Sequence, residues 1–293
     1  AAIQQIDDAT KDGAADHRLI AMKATAVARK GDQDAALALF MEAWQKAPAD
    51  FAHKNMVCEW AQAPLDLEHW ETFLTQIAAG DDTHIAKLRL ARLDMLKGSP
   101  EEAIQRLEKL RQSIQEDNII YGRVLLDLGN AYTSAKQHDK AQYYLMAASD
   151  KLPDDASLLN NLAYEMALVG KQPYKAIEFA ERALALIGSN DRLRAHALDT
   201  LGFAQYRANL LAHAETSLDR SIKTREMPHN YMHMGQVYLA QNKPAQARKA
   251  LENAQRLTTQ RDQQDIGGEI AELLKEARAL EKELQEKEAI PEG

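Results

Sequence analysis

Leu125-Leu126-Asp127-Leu128-Gly129-Asn130-Ala131-Tyr132, then Thr133-Ser134-Ala135-Lys136-Gln137-His138-Asp139-Lys140, then Ala141-Gln142-Tyr143-Tyr144-Leu145-Met146-Ala147-Ala148, is the stretch that decides the fold. Leu125, Leu128 and Tyr132 follow the three-and-four spacing of a buried helical stripe, with Gly129 among them. A polar turn follows, and a second helix then buries Ala141, Tyr144, Leu145 and Ala148 before Pro153 closes the unit. Small residues at 129 and 141 let two helix backbones approach closely, while Tyr132 and Leu145 fill the space beside them. The stretch predicts an antiparallel helical hairpin.

Outward from this hairpin the same two small positions recur. Ala24, Cys58, Ala91, Gly129, Ala163, Gly202 and Gly235 form one series, and Ala36, Trp70, Ala103, Ala141, Ala176, Ala214 and Ala247 form the other. Steps within each series run from 33 to 39 residues. Seven hairpins are predicted, near 17–50, 51–83, 84–117, 122–155, 156–191, 195–227 and 228–261, with a polar leader over 1–16 and an acidic helix and tail over 262–293. Such an array stacks each unit on its neighbours, and its concave surfaces hold other proteins rather than perform chemistry.

Proline placement checks the register independently. Pro48, Pro153 and Pro228 fall at unit ends, and Pro64, Pro100, Pro173 and Pro244 fall in the turns within units. None sits inside a helix, where it would cost about 3 kcal/mol. Two departures stand out. Trp70 occupies a slot where two helices nearly touch, so that pair should splay or slip. The long steps, near Gln115–Asn118 and Ser189–Arg192, each leave room for one extra helical turn and are read as local bends, with a hinge near 113–118 as the alternative.

Composition agrees with this reading and narrows the function. Aromatic residues make up 6% and the net charge is −8, with ten Asp/Glu against four Lys/Arg in residues 262–293. An acidic chain without a basic stripe argues against nucleic acid as partner. No apolar run approaches the roughly 18 residues of a membrane span, which argues against membrane insertion. The single cysteine, Cys58, excludes an internal disulfide and any cysteine-based zinc site, and between Val57 and Trp60 it reads as a small core residue. The chain opens Ala-Ala-Ile, which fits a processed form and leaves a removed signal peptide or lipid anchor open.

The repeat resembles the tetratricopeptide repeat (TPR) family. Leu128-Gly129-Asn130-Ala131-Tyr132 with Ala141, Leu145, Ala148 and Pro153 follows that family's 34-residue pattern, as does Gly31-Asp32-Gln33-Asp34-Ala35-Ala36 with Phe40, Ala43 and Pro48. Leu201-Gly202 with Ala214, and Met234-Gly235-Gln236-Val237-Tyr238 with Ala247, match as well. Asn161-Leu162-Ala163-Tyr164 and Asp199-Thr200-Leu201-Gly202-Phe203 look most like repeats of bacterial envelope and secretion proteins. The resemblance implies an all-α, right-handed superhelix and a protein-binding scaffold without enzymatic activity or cofactor. It favours a periplasmic or envelope setting over the cytoplasm.

In that family the second, fifth, sixth, ninth and twelfth positions of each first helix face the groove. Carried over, these slots nominate Asn130 in the fourth unit and Asn160, Asn161 and Tyr164 in the fifth. They add His196, Asp199, Phe203 and Tyr206 in the sixth, and Met232, His233 and Gln236 in the seventh. Arg89 and Arg92 line the third unit, in an arginine-rich N-terminal stretch that suits an acidic-plus-hydrophobic segment or else consists of ordinary solvated arginines. Asn130 and Asn161 can each pair with a peptide backbone whatever its sequence, or else cap or bridge neighbouring helices. Leu126 stands where a dicarboxylate clamp needs Lys, which argues against a chaperone C-terminal tail as partner.

No phosphate-cradling loop, HExxH or nucleophile elbow is present. His229 and His233, four apart on one helix face, have metal-sharing spacing but no evident completing ligand, so no metal is assigned. At the C-terminus Ile270, Leu273, Ala277, Leu280 and Leu284 make a heptad seam, with Glu283 and Lys287 paired. That helix caps the last unit's apolar face or, in the alternative reading, dimerises the chain as a self-associating assembly protein.

Overall fold

Short polar side chains start many of the helices. In the computed structural model, which describes residues 16–116, 119–259 and 266–288, Asp16, Asp32, Asp50, Asp66, Asp155 and Asn190 each accept a hydrogen bond from a backbone N–H in the turn that follows. Pro100, Pro173, Pro228 and Pro244 each occupy the first position of a helix, where the missing N–H is harmless. The described residues form helices and no strands.

The chain divides into two compact units, residues 1–136 and 137–293, each described by itself. The first contains α1 (His17–Ala28), α2 (Gln33–Lys46), α3 (Phe51–Gln62), α4 (Leu67–Ala78), α5 (Ile85–Leu96), α6 (Pro100–Ser113) and α7 (Tyr121–Ser134). The second contains α8 (His138–Lys151), α9 (Ala156–Val169), α10 (Pro173–Leu186), α11 (Asp191–Arg207), α12 (Leu211–Thr224), α13 (Pro228–Ala240), α14 (Pro244–Leu257) and α15 (Gly267–Glu288). The boundary falls in the turn of the fourth repeat and not at 113–118, because α6 and α7 pack side by side across that stretch.

Both small-residue series are buried. At Gly202 an added Cβ would stand 2.6 Å from Leu218 Cγ, and at Gly235 it would stand 2.5 Å from Leu251 Cγ. Leucine from the second helix therefore fills the space over each glycine. Gly202→Ala gains about 1 kcal/mol of helix propensity but meets an overpacking cost of about 1–3 kcal/mol. We expect a net loss of about 1 kcal/mol, read from the midpoint of a urea melt followed by far-UV circular dichroism. A rise in stability would show that Leu218 moves aside at no cost.

The second hairpin behaves as Trp70 predicts. α3 and α4 make scarcely any close backbone approach, and α4 packs on α2 and α5 instead. Trp70 is buried and stacks on Phe73 (5.7 Å, 21°), which meets Phe40 and Trp44 of α2 edge-on, each at 6.3 Å. Gln33 bridges this joint, donating to Pro64 O at 3.3 Å and accepting from Asp66 N at 3.1 Å. Cys58 lies in the same core, and burial pushes its thiol up to about 12.

The two long steps resolve differently. α11 has 17 residues against 12 to 14 in the earlier helices, so the turn expected near 189–192 is its added N-terminal turn. The stretch near 115–118 forms no such turn where it is described, since α6 ends at Ser113 and α7 begins at Tyr121. Residues 117–118, the leader over 1–15 and residues 260–265 and 289–293 lie outside the described residues.

α15 covers the last hairpin. Ile266, Ile270, Leu274 and Ala277 are buried against Met232, Ala247, Leu251 and Ala254. The fully buried stripe runs through Leu274, and the expected Leu273 packs against the edge of the same cluster. Leu273, Leu280 and Leu284 remain partly exposed. Arg248 with Glu281 (2.8 Å) and Gln236 with Glu269 (2.9 Å) fix the polar rim, and Lys287 pairs with Glu283 at 2.7 Å.

Candidate functional site

The added turn of α11 builds a cleft in the second unit. Asn190 caps it by accepting from Leu193 N at 3.1 Å, and Arg194 Nη2 reaches back to the carbonyls of Ile187 (3.2 Å) and Gly188 (2.8 Å) at the end of α10. Those carbonyls have no intrahelical donor, so the guanidinium both satisfies them and pins the turn. The overhang brings Leu193 and His196 opposite Ala156, Ser157, Asn160 and Asn161 of α9, with Ile187 as the remaining wall. The enclosed space is about 190 Å³.

Three of the residues nominated from sequence meet here: Asn160, Asn161 and His196. Asn160 is partly buried, and its Oδ1 is enclosed without a hydrogen-bond partner. An enclosed acceptor left unused has room for an ordered water or, once the amide turns toward the cleft, for an incoming donor. A peptide backbone offers both N–H and C=O, so it satisfies this amide in either orientation. Leu193 keeps 40% of its surface exposed and supplies an apolar contact beside the polar pair.

Toward the C-terminal ends of the same helices the polar slots give way to a ring stack. Phe203 lies between Tyr164 (5.7 Å) and the imidazole of His233 (4.4 Å, 18°), with Tyr206 stacked farther along at 6.4 Å. His233 Nδ1 donates to Asp199 Oδ1 at 2.8 Å, and both residues are buried. Burial, then the Asp199 charge, pushes the Tyr164 phenol above its usual range. Arg207 lies over Phe203 at 5.8 Å and donates to Leu168 O at 3.2 Å, closing this end over the α9–α10 turn.

Asp199, Phe203, Met232 and His233 were expected to face a partner, and the structure corrects this: all four are buried in the packing of successive helices. Met232 lies in the core under α15. Tyr164, Tyr206 and Gln236 are partly exposed and remain on the surface. The ring centroids of His229 and His233 stand 6.5 Å apart, and among the described residues no group of three or more His, Cys, Asp or Glu is placed to hold an ion.

In the first unit Arg89 is likewise buried rather than lining a groove. Its guanidinium donates to Asn55 (2.8 Å) and Gln62 (3.0 Å). Arg92 is exposed, with Nε on Asp127 Oδ2 at 2.6 Å, and Arg123 lies over the Phe51 ring at 5.0 Å. Burial raises the Asp127 carboxyl against the pull of Arg92. Asn130 is partly buried on α7.

One register explains these corrections. Asn55 and Asp199 hold the same slot, Arg89 and His233 hold the next one in the following first helix, and each pair is 34 residues apart. These slots are therefore consumed in tying one repeat to the next. A complementary polar pair at that separation is the signal that would have found them. Ile187 and Leu193 were not foreseen, because they reach the cleft only through the added turn.

No family model matches the chain, and no curated protein matches it. Solved structures do. A bacterial protein from Parabacteroides merdae, described as a tetratricopeptide repeat protein, aligns over 89% of this chain and 98% of its own with a TM-score of 0.57 and 16% identity. The fold is that of the tetratricopeptide repeat. PilW, described as a type IV pilus biogenesis factor, shares the TPR arrangement at TM-score 0.52 and 21% identity, over 71% of this chain and 93% of its own. A structure of the Cut9–Hcn1 hetero-tetramer aligns over 88% of this chain at TM-score 0.63 and 16% identity, and this chain spans about half, 48%, of that one's length.

Proposed function

We propose that this chain is a protein-binding scaffold that holds an extended segment of a partner protein on the first helices of its second unit. The enclosed, unpaired Asn160 carbonyl in the α9–α11 cleft carries this reading. Asn160 and Asn161 bind the segment's backbone, and Leu193 and Ile187 receive one apolar side chain. Tyr164 and Tyr206 extend the surface toward the ring stack. The reading assigns the partner to a bacterial envelope, secretion or polysaccharide assembly, supported by the likeness of residues 161–164 and 199–203 to repeats of such proteins.

The test is comparative capture of native partners from cells that produce the protein. Asn160→Ala with Asn161→Ala removes two backbone-bonding groups, each worth about 0.5–1.5 kcal/mol, so affinity should fall about tenfold. Capture of every partner at wild-type level would end the proposal. An unchanged circular dichroism melt of the double variant shows that the loss lies in binding and not in folding.

A further inference from the structure

The outward face of α8 differs from its counterparts on the other second helices of this unit. Asp139, Gln142, Tyr143, Met146, Ala147 and Asp150 fall on one helical stripe and line a shallow depression of about 470 Å³. The centre of the stripe is apolar and both ends are acidic. Tyr143 keeps 69% of its surface exposed and is braced edge-on by Tyr144 at 5.2 Å. Asp139 and Asp150 are exposed, and Asp139 meets Lys171 at 3.4 Å. At the positions of Tyr143, Met146 and Ala147, α10 carries Glu178, Glu181 and Arg182, and α12 carries Thr216, Asp219 and Arg220. Those are solvated faces. The face of α8 combines an aromatic anchor, an adaptable methionine and two flanking charges.

We propose that this face docks an amphipathic partner helix whose apolar stripe lies between two basic residues about eleven positions apart. The spacing follows from the target. Asp139 and Asp150 are separated by about 16 Å along the axis of α8, at 1.5 Å per residue, and a helix laid along it repeats the same rise. Tyr143 and Met146 receive the apolar side chains, and the two carboxylates receive Lys or Arg, making the attraction dependent on salt. This surface is on the second helices and is independent of the α9–α11 cleft.

The test uses the whole chain and a fluorescent synthetic helix of about 18 residues, with Lys eleven apart and Leu at the intervening fourth and seventh positions. Two control peptides carry Glu for both Lys, or Ser for both Leu. The Lys–Leu peptide should bind about tenfold more tightly than either control by anisotropy, and raised salt should weaken it. Tyr143→Ser should cost about tenfold, and Asp139→Asn with Asp150→Asn should flatten the salt dependence. Asn160→Ala with Asn161→Ala should leave this binding intact, which separates it from the cleft. Equal binding of the Glu peptide, or indifference to Tyr143→Ser in a variant whose circular dichroism is unchanged, overturns the proposal. So does self-association that Tyr143→Ser abolishes, which would make a second copy the occupant, or preference for an extended peptide with basic residues about five apart.

Discussion

His233→Ala should destabilise the second unit by about 3–5 kcal/mol, the largest single effect expected in it. The substitution removes the His233 donor to Asp199 Oδ1 and leaves a carboxylate enclosed between α11 and α13. It also takes the ring that lies 4.4 Å from Phe203 and opens a cavity there. Replacing both partners with apolar residues of similar size, Asp199→Leu with His233→Phe, should cost far less, because no charge is stranded. Urea melts followed by far-UV circular dichroism measure both. Equal losses in the single and double variants would mean that packing, not the buried Asp199–His233 hydrogen bond, sets the cost.

Phe73→Ala should cost the first unit a similar amount, about 3–5 kcal/mol. Phe73 is fully buried and joins Trp70 on its own helix to Phe40 and Trp44 on α2. Because α3 offers α4 so little, this ring cluster is the main apolar attachment of α4 to the preceding hairpin. All three tryptophans, Trp44, Trp60 and Trp70, belong to the first unit, so tryptophan emission excited beyond the tyrosine absorption band reports on that unit. The fluorescence midpoint should fall clearly. A shift worth less than about 1 kcal/mol would show that the hairpin closes over the missing ring.

The architecture was legible in the sequence because repeats such as the sixth and seventh place their small residues where their two helices meet. Gly202 under Leu218 and Gly235 under Leu251 leave no alternative register, and the prolines mark the helix starts on either side. The surface was less legible. Helical periodicity places Asn161, Phe203 and His233 on the first-helix face, but it does not say which of them the neighbouring helix covers. Ring stacking buried Phe203, and pairing across repeats buried Asp199, His233 and Arg89. The cleft depended on where an insertion folded: the step before Gly202 became helix and brought in Leu193, while the one after Ser113 did not.

The second hairpin has a mechanical consequence. Its two helices lean on their neighbours more than on each other, and Gln33 at the start of α2 straps the turn ahead of α4, adding a side-chain tie to the packing of α4 on α2. Local opening follows where packing is sparse. Under tension the first unit is thus a spring with one compliant coil. We expect a glutamine strap and a phenylalanine, rather than the close-packed alanines of the hairpins on either side, to set where it yields.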